Sequence, residues 1–262
     1  MDLEINNKVA VVFAASKGLG KAAALSLANE GCKVAICSRD ADKIKQAAKD
    51  ISGISGTDVY SEAVDVENKI QIDSFIENVA QKWGTIDILV NNAGGPPVAS
   101  FEQSQDDEWQ KWYNITFMSV VRAIKAALPY LKQNNWGRII NITSSSVKSP
   151  IENLVYSNSI RLAVVGLAKT LSLDLGRFGI TVHNVAPGYH LTDGLERIID
   201  NKVEHGQKRE DVLKSWSENI PLGKIGEPQD LASLVAFLAS GKAGYMSGTT
   251  IQVDGGLYPG TL

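Results

Sequence analysis

The stretch Val9-Ala10-Val11-Val12-Phe13-Ala14-Ala15-Ser16-Lys17-Gly18-Leu19-Gly20 decides the fold of this chain. Its first five residues are continuously apolar, which is typical of a central strand with both faces buried. The glycines that follow predict a tight turn from this strand into a helix. Glycines in such a turn let the backbone approach a pyrophosphate, and the helix N-terminus supplies free N–H groups and a positive dipole end. We therefore expect a nucleotide at this turn.

Outward from this stretch, short β-branched runs alternate with longer helical patterns along the chain. Strands are predicted at residues 9–13, 33–38, 59–63, 86–90, 138–142, 181–185 and 250–253, and helices near 21–30, 42–51, 70–83, 106–131, 155–175 and 230–239. This alternation indicates βαβ units and a parallel sheet covered by helices on both faces. No linker or repeat divides the chain. The expected architecture is therefore α/β, a single domain over residues 1–262 with a Rossmann-type doubly wound parallel sheet of about seven strands.

Composition and charge argue against several classes of function. The chain has 262 residues and a net charge of -3, which gives no electrostatic reason to expect binding to nucleic acid or to an anionic membrane. No apolar run approaches the ~20 residues that span a bilayer, so no membrane is expected. The two cysteines, Cys32 and Cys37, are expected to be buried thiols in a reducing cytoplasm. The histidines have no metal-ligand spacing, so no metal is expected.

The alternation of predicted strands and helices is interrupted between residues 189 and 220. No strand is predicted there, and charged residues accumulate at 201–205 and 208–211. So long an insertion between strand–helix units is commonly functional, and we expect 189–220 to be a substrate lid. The alternative is a solvated pair of surface helices.

Three further motifs follow in the order and spacing of a known family. Asn91-Asn92-Ala93-Gly94 comes after the fourth predicted strand, Tyr156-Ser157-Asn158-Ser159 lies in a helix, and Pro187-Gly188 with Thr192 follows the sixth strand. Together with the glycine turn, they make residues 7–256 resemble the short-chain dehydrogenases/reductases, in particular the 3-oxoacyl-(acyl-carrier-protein) reductases. The resemblance implies an oxidoreductase that interconverts a small-molecule carbonyl and an alcohol by hydride transfer. It also implies a homo-oligomer, usually a tetramer.

The residues near the predicted nucleotide favour NADP(H) over NAD(H). Chains that select a free ribose 2′-OH tend to place Asp or Glu after the second strand, but this strand ends in Cys37-Ser38-Arg39. Lys17, Ser38 and Arg39 offer the cations and the hydroxyl that a 2′-phosphate needs, with solvated side chains as the alternative. The family pattern implies further cofactor contacts from Ser16, Gly18, Leu19, Gly20, Asp65, Val66, Asn92, Ala93, Gly94, Tyr156, Pro187, Gly188 and Thr192. Ala14 replaces a family glycine, and its Cβ penalises a positive φ.

The resemblance also implies the residues that carry the reaction. In the family, a serine holds the carbonyl oxygen, a tyrosine transfers the proton, and a lysine and an asparagine extend a proton relay. These roles fall to Ser144, Tyr156 and Asn114, apart from the lysine. Counted back from Tyr156, the family spacing reaches Thr143 rather than Ser144, so the loop is one residue short. Thr143 and Ser145 are therefore kept as alternatives to Ser144.

The family lysine is replaced by Ile160, four residues after Tyr156 and hence on the same helical face. Isoleucine can neither stabilise a tyrosinate nor bind ribose hydroxyls. Lys148, in the loop before the helix, and His190, beyond the Pro-Gly motif, are candidates to replace the lysine. Arg161 is adjacent, but five residues from Tyr156 it is rotated by about 140° around the helix.

Two functions follow from this pattern. The first is an NADP(H)-dependent carbonyl reductase or alcohol dehydrogenase, slowed because general acid–base assistance is typically worth about 10²–10⁴-fold. The alternative is an NADP(H)-binding protein with little or no catalysis, because the motif lysine is absent. A lyase or epimerase on the same fold is a third option.

Overall fold

The structure, a computed structural model, describes residues 2–261 and all their side chains except those at positions 197 and 201. Its strands are β1 Val9–Val12, β2 Lys33–Ser38, β3 Val59–Ala63, β4 Ile88–Asn91, β5 Gly137–Ile142, β6 Ile180–Pro187 and β7 Thr249–Val253. They form one sheet in the order β3-β2-β1-β4-β5-β6-β7, and every neighbouring pair is parallel. The order reverses between β1 and β4, so their carboxyl ends form the switch point at which open α/β sheets bind ligands.

Helices cover both faces of the sheet. In the described chain they are α1 Gly18–Asn29, α2 Ala41–Ser55, α3 Lys69–Trp83, α4 Asp106–Tyr113, α5 Ser119–Gln133, α6 Val155–Leu175, α7 Asp193–Glu204, α8 Arg209–Ser217 and α9 Pro228–Leu238. Helices α1, α2 and α9 pack on one face, and α3, α5 and α6 pack on the other. Side chains of β1 alternate between these layers, with Ala10 and Val12 in the first and Val9 and Val11 in the second.

The ends of α2 and α3 follow local sequence signals. The Asp40 and Asn68 side chains accept hydrogen bonds from the first-turn amides of these helices, and Gly56 and Gly84 end them with φ of 73° and 80°. Only glycine adopts such angles without strain, so each helix stops at its glycine.

The predicted α/β fold is confirmed. All seven predicted strands form, and their ends differ from the prediction by at most two residues. The helix predicted over 106–131 is confirmed as a continuous helical stretch, in which a π-helical turn at Asn114–Met118 connects α4 to α5. There the Ser119 amide bonds to the Asn114 carbonyl, while the Ser119 hydroxyl donates to the Ile115 carbonyl at 2.5 Å. The hydroxyl thus takes the acceptor that an α-helix would give to the amide.

The segment 189–220 contains α7 and α8 and, as predicted, none of the named strands of the described sheet. Leu195, Ile199 and Val212 form a small apolar cluster between the two helices. Arg209 adds a bidentate ion pair to Glu196, with N–O distances of 2.6 and 2.8 Å. This pair of helices is therefore a packed unit, and its role as a substrate lid stays a prediction.

Three properties bear on where and how the chain acts. No helix within residues 2–261 combines the length and the apolar character needed to cross a bilayer. In the same range, no group of three or more His, Cys, Asp or Glu side chains is arranged to hold a metal ion. Cys32 and Cys37 are free and buried, and burial raises the pKa of Cys32 to about 12, so this thiol is protonated at neutral pH.

Candidate active site

The glycine turn between β1 and α1 is tight. A Cβ on Gly20 would lie 2.6 Å from the Ala14 carbonyl oxygen and 2.7 Å from Asn92 Nδ2, so only glycine fits there. Gly18 has a φ of +56°, in the left-handed region. Asn92 Nδ2 donates to the Ala14 carbonyl at 3.2 Å and ties the loop after β4 to the turn. Ala14 itself has a φ of 49°, so this alanine carries the predicted backbone strain.

Helix α1 begins directly behind this turn. Lys17, the residue before its first turn, makes no side-chain cap, so the first N–H groups of the helix remain for a ligand. Ser16 and Leu19 lie in the same turn. A Cβ-free backbone that ends at a helix N-terminus fits the pyrophosphate of a dinucleotide.

The end of β2 combines a hydroxyl with cationic side chains. Ser38 is buried and its Oγ donates to the Asp40 carbonyl at 3.3 Å, while Arg39 is exposed. The Asp40 carboxylate accepts from the amides of Asp42 and Lys43 at 3.1 and 3.0 Å. The carboxylate nearest this strand end is therefore engaged in capping α2.

The start of α7 lies against the glycine turn. Lys17 Nζ is 3.0 Å from Asp193 Oδ2 in an exposed ion pair. The Thr192 side chain is 3.5 Å from the position of a Cβ on Gly18, and its Oγ1 accepts from the Leu195 amide at 3.3 Å. Lys17 and Thr192, two predicted cofactor residues, thus both lie where the start of α7 meets the glycine turn.

The other predicted cofactor contacts lie at the carboxyl ends of neighbouring strands. Asp65 and Val66 follow β3, Asn92, Ala93 and Gly94 follow β4, and Pro187 and Gly188 end β6. Asp65 Oδ1 accepts from the Glu67 amide at 3.0 Å, which orders the turn before α3. A Cβ on Gly188 would lie 2.7 Å from Asp254 Cβ, so β6 and the segment after β7 approach closely only because this residue is glycine.

A ladder of side-chain amides crosses four strands near the same edge. Asn91 Nδ2 donates to Asn141 Oδ1 at 2.8 Å, Asn141 Nδ2 donates to Asn184 Oδ1 at 3.0 Å, and Asn184 Nδ2 donates to Thr250 Oγ1 at 3.1 Å. All three asparagines are buried, and they are paired in register across β4, β5 and β6. This ladder was not predicted from the sequence, although one asparagine in each of three apolar strands was its signal.

Ser144 begins the short turn after β5 with its hydroxyl accepting from the Ser146 amide at 3.1 Å. Its own proton is therefore free for a substrate oxygen. Ser146 Oγ in turn lies 3.1 Å from Ser157 Oγ on α6. Thr143, the alternative to Ser144, donates its hydroxyl to the Val185 carbonyl at 3.0 Å. That bond holds Thr143 in the sheet and favours Ser144 as the serine of the site.

Tyr156 and Ile160 lie on the side of α6 that faces α4. The Tyr156 hydroxyl accepts from the Gln105 amide at 2.9 Å, and its ring centroid is 4.8 Å from that of Trp109. Ile160 lines an open groove of about 630 Å³ together with Trp109. Among the described residues, no hydrogen bond joins Tyr156 to Ser144. Their predicted partnership stays a prediction.

Asn114 opens the π-helical turn, and its side chain is directed at α5. Its Oδ1 accepts from Arg122 Nη2 at 3.5 Å, and Arg122 Nη1 donates to the Glu67 carbonyl at 2.9 Å. The Asn114 carbonyl accepts from the Ser119 amide. The relay role of Asn114 also stays a prediction.

Arg161 is the residue whose position the sequence analysis underrated. It is buried, and its Nη1 donates to the carbonyls of Ile142 and Thr143 at 3.3 and 3.0 Å, where β5 ends. Burial lowers the pKa of its guanidinium to about 10, which leaves it charged at neutral pH. The signal that could have found it is the spacing: Arg161 follows Ser157 by four residues, as Ile160 follows Tyr156.

The histidine considered for proton transfer is engaged elsewhere. His190 Nδ1 lies 3.2 Å from the Gly188 carbonyl oxygen, and its ring would be 3.1 Å from a Cβ on Gly226. Burial lowers the pKa of His190, so the ring is neutral at neutral pH. His190 is therefore bonded to the backbone beside Gly188, and its role as a replacement for the lysine stays a prediction.

Comparison with known proteins settles the family. The family model described as Enoyl-(Acyl carrier protein) reductase matches residues 13–258. The 3-oxoacyl-(acyl-carrier-protein) reductase FabG of Haemophilus influenzae is 35% identical over 256 residues, which cover 97% of this chain and 99% of that protein. The chain belongs to the short-chain dehydrogenase/reductase family. A second relative, the (2S)-((R)-hydroxy(phenyl)methyl)succinyl-CoA dehydrogenase subunit BbsD of Thauera aromatica, is 31% identical over 96% of this chain and 97% of its own.

Solved structures of short-chain dehydrogenases/reductases have the same fold. L-sorbose reductase from Gluconobacter frateurii, complexed with NADPH and L-sorbose, matches with a TM-score of 0.95 and 30% identity over 99% of this chain and 100% of its own. Actinorhodin polyketide ketoreductase with NADPH matches at 0.91 and 28% identity over 96% and 97%. A 7α-hydroxysteroid dehydrogenase with NADH matches at 0.89 and 27% identity over 97% and 96%. Both nicotinamide cofactors are therefore represented among the similar structures.

Proposed function

We propose that this short-chain dehydrogenase/reductase is an NADP(H)-dependent oxidoreductase that interconverts a carbonyl and an alcohol by hydride transfer. The observation that carries the proposal is the turn at Gly18 and Gly20, which is closed against Ala14 and Asn92 at the switch point of the sheet. When bound there, the nicotinamide supplies or accepts the hydride.

The choice of NADP(H) is supported by the end of β2. Ser38 and Arg39 stand where an acidic residue would select a free 2′-OH, and the Asp40 carboxylate caps α2 instead. Lys17 adds a second cation once it exchanges Asp193 for a phosphate. The similar L-sorbose reductase and the actinorhodin ketoreductase were both solved with NADPH. The steroid dehydrogenase has the same fold but was solved with NADH, so the proposed preference for NADP(H) rests on Ser38 and Arg39 at the end of β2 and not on the fold.

Ser144 is the proposed donor to the substrate oxygen. Its hydroxyl accepts from the Ser146 amide, which fixes the oxygen and leaves the O–H proton free to polarise a carbonyl. Negative charge that develops on that oxygen is stabilised by this preoriented donor. Tyr156 as proton donor and Asn114 as relay residue are kept as proposals. The Tyr156 hydroxyl accepts from the Gln105 amide, which leaves its proton free but holds the ring against α4.

The proposed substrate is a 3-oxoacyl compound or another small ketone. Support comes from the names of the relatives, which include 3-oxoacyl-(acyl-carrier-protein) reductases, and from L-sorbose reductase among the similar structures. The two-helix segment 189–220, with Tyr189 stacked on Trp216 at 5.2 Å, is the proposed lid over this substrate.

Two assays test the proposal. In the first, NADPH and NADH are titrated separately while nicotinamide fluorescence is followed, and tighter binding of NADPH is expected. In the second, NADPH oxidation is measured over a panel of ketones and 3-oxoacyl thioesters with wild type, Ser144→Ala and Tyr156→Phe. We expect Ser144→Ala to lower kcat by about 10²-fold or more. No binding of either nucleotide, or equal rates for wild type and Ser144→Ala, would refute the proposal.

A second candidate is an NADP(H)-binding protein with little or no catalysis. It is favoured by two observations: Ile160 is buried, and the Tyr156 hydroxyl accepts from the Gln105 amide at the start of α4. Tight NADPH binding combined with no oxidation over the whole panel would establish this candidate and remove the first.

The assembly and location of the protein are part of the same proposal. Leu162 and Leu173 on α6 are exposed, as are Phe101 before α4 and Tyr245 before β7. These exposed apolar residues, two of them on α6, support a homo-oligomer, proposed to be a tetramer, which light scattering behind a sizing column would test. The free, buried thiols of Cys32 and Cys37 support a cytoplasmic location.

A further inference from the structure

Helix α6 presents two buried faces that differ by one residue in register. Tyr156 and Ile160 face α4, as described above. Ser157 and Arg161 face the carboxyl ends of the strands, where Ser157 contacts Ser146 and Arg161 contacts the end of β5. One residue turns a helix by about 100°, so the two pairs meet different neighbours. The missing cation of the Tyr156 face is therefore matched by a cation on the next face.

Arg161 is a buried cation without a carboxylate partner. Its side chain is 8% exposed, and no Asp or Glu of the described residues lies within ion-pair distance of it. Nη1 is satisfied by the Ile142 and Thr143 carbonyls, but within residues 2–261 Nη2 has no hydrogen bond. A buried charge is costly unless it is paired. An unpaired buried cation at the ligand-binding edge of the sheet therefore marks a candidate binding site.

Two more buried polar atoms lie in the same place. Arg161, Asn91 and Thr116 line a cavity of about 10 Å³, with Asn92 and Ala93 beside them, which is room for one water molecule. Asn91 Oδ1 and Thr116 Oγ1 have no hydrogen-bond partner among the described side chains and backbone. This observation is independent of the charge on Arg161. It marks the end of β4 as a polar site that is incomplete without a ligand or bound water.

The order of the sheet indicates which part of a dinucleotide reaches this site. The proposed 2′-phosphate corner is at the end of β2, and the pyrophosphate turn is at the end of β1. The nicotinamide half of the dinucleotide must therefore extend past β1 over β4 and β5. Arg161 lies there between Thr143 and Gly95, and its Nη2 is 3.9 Å from the position of a Cβ on Gly95. A guanidinium offers several donors in one plane, which suits the two neighbouring hydroxyl oxygens of a ribose.

We propose that Arg161 binds the ribose hydroxyls at the nicotinamide end of the dinucleotide, and that the functional face of α6 is the face of Ser157 and Arg161. This inference rests on the proposed function, since it requires a dinucleotide in the crevice. It assigns to Arg161 the cationic role for which the sequence offered no residue on the Tyr156 face.

The test compares two ligands on wild type, Arg161→Met and Arg161→Lys. NADPH carries both ribose groups, whereas adenosine 2′,5′-bisphosphate carries only the adenosine half. Dissociation constants are measured by nicotinamide fluorescence and by calorimetry. Arg138→Met is the matched control, because Arg138 is a second buried arginine that lies far from the proposed site. It is at the amino end of β5, where it donates to the Ser240 carbonyl, whereas Arg161 contacts the carboxyl end of β5. Circular dichroism checks folding, and Arg161→Gln replaces the methionine variant if that variant does not fold.

We expect Arg161→Met to weaken NADPH binding by about 10- to 100-fold, the loss of a charge-assisted hydrogen bond, while binding of the bisphosphate is unchanged. Arg161→Lys keeps the charge but not the planar set of donors, so it should weaken NADPH binding less than Arg161→Met does. Unchanged NADPH affinity in Arg161→Met, equal weakening of both ligands, or equal weakening in Arg138→Met would overturn the inference. Wild type that binds neither NADPH nor NADH would instead overturn the proposed function.

Discussion

Replacing Ile160 with lysine restores the residue that the family pattern has at this position, yet it should not restore the function of that residue. Ile160 faces α4 and lines the groove beside Asp106 and Trp109. A lysine ammonium there would reach the groove and the Asp106 carboxylate, on a different face of α6 from Arg161. We therefore expect the dissociation constant for NADPH to change by less than about twofold.

The cost of Ile160→Lys should appear in stability. Ile160 is 6% exposed, so nearly the whole side chain is in apolar contact, and burying an isoleucine is worth about 1.5–3 kcal/mol. The lysine methylenes recover part of this contact, because the ammonium can extend into the open groove. We expect the free energy of unfolding to fall by about 2 kcal/mol.

Urea unfolding followed by tryptophan fluorescence measures this loss, and fluorescence titration measures NADPH affinity. Ile160→Met is the matched control, since it keeps the volume and the apolar character and should cost less than about 1.5 kcal/mol. A variant Ile160→Lys that binds NADPH fivefold more tightly than wild type, with unchanged stability, would refute the assignment of two faces on α6. It would place Ile160 at the cofactor.

Three further predictions concern the turn and the sheet. Ala14→Gly removes a Cβ from a residue with a φ of 49° and should raise the free energy of unfolding by about 1 kcal/mol. The urea midpoint should therefore rise, and a lower midpoint would contradict backbone strain at Ala14. Gly20→Ala places a Cβ 2.6 Å from the Ala14 carbonyl and should weaken NADPH binding by about 100-fold, and unchanged affinity would remove the turn from the site. Burial lowers the pKa of His183 to about 4, so the unfolded chain takes up the proton first and acid destabilises the fold. Between pH 7 and pH 5 wild type should lose about 2 kcal/mol more than His183→Asn in urea unfolding, and equal losses would contradict this.

The fold could be predicted because its signals are local. The apolar run before Gly18 and Gly20 identifies the central strand and the turn, and the alternation of periods identifies the remaining units. The π-helical turn at Asn114–Met118 could not be predicted, because it depends on which carbonyl the Ser119 hydroxyl takes.

The site was predictable in its location and less so in its details. Tyr156 matches the family motif by residue type and Ile160 only by position, but which face of a helix meets the crevice depends on packing against α4. The one-residue shortfall between Ser144 and Tyr156 was the sign of this, since Ser157 restores the spacing. Buried partners that are distant in sequence, such as Asn91 and Asn141, become visible only when the strand register is known.

The amide ladder of Asn91, Asn141 and Asn184 is a row of aligned dipoles. Each amide directs its NH₂ toward the next strand, so the partial charges of neighbours compensate inside the row and only its two ends remain. One end is a donor held by Thr250 on the edge strand, and the other is the oxygen of Asn91 in the cavity that Arg161 lines. The sheet thus supplies the negative potential that no carboxylate provides. We therefore expect a substitution at Thr250, three strands from β4, to alter the electrostatic potential at the buried guanidinium of Arg161 without any contact between the two residues.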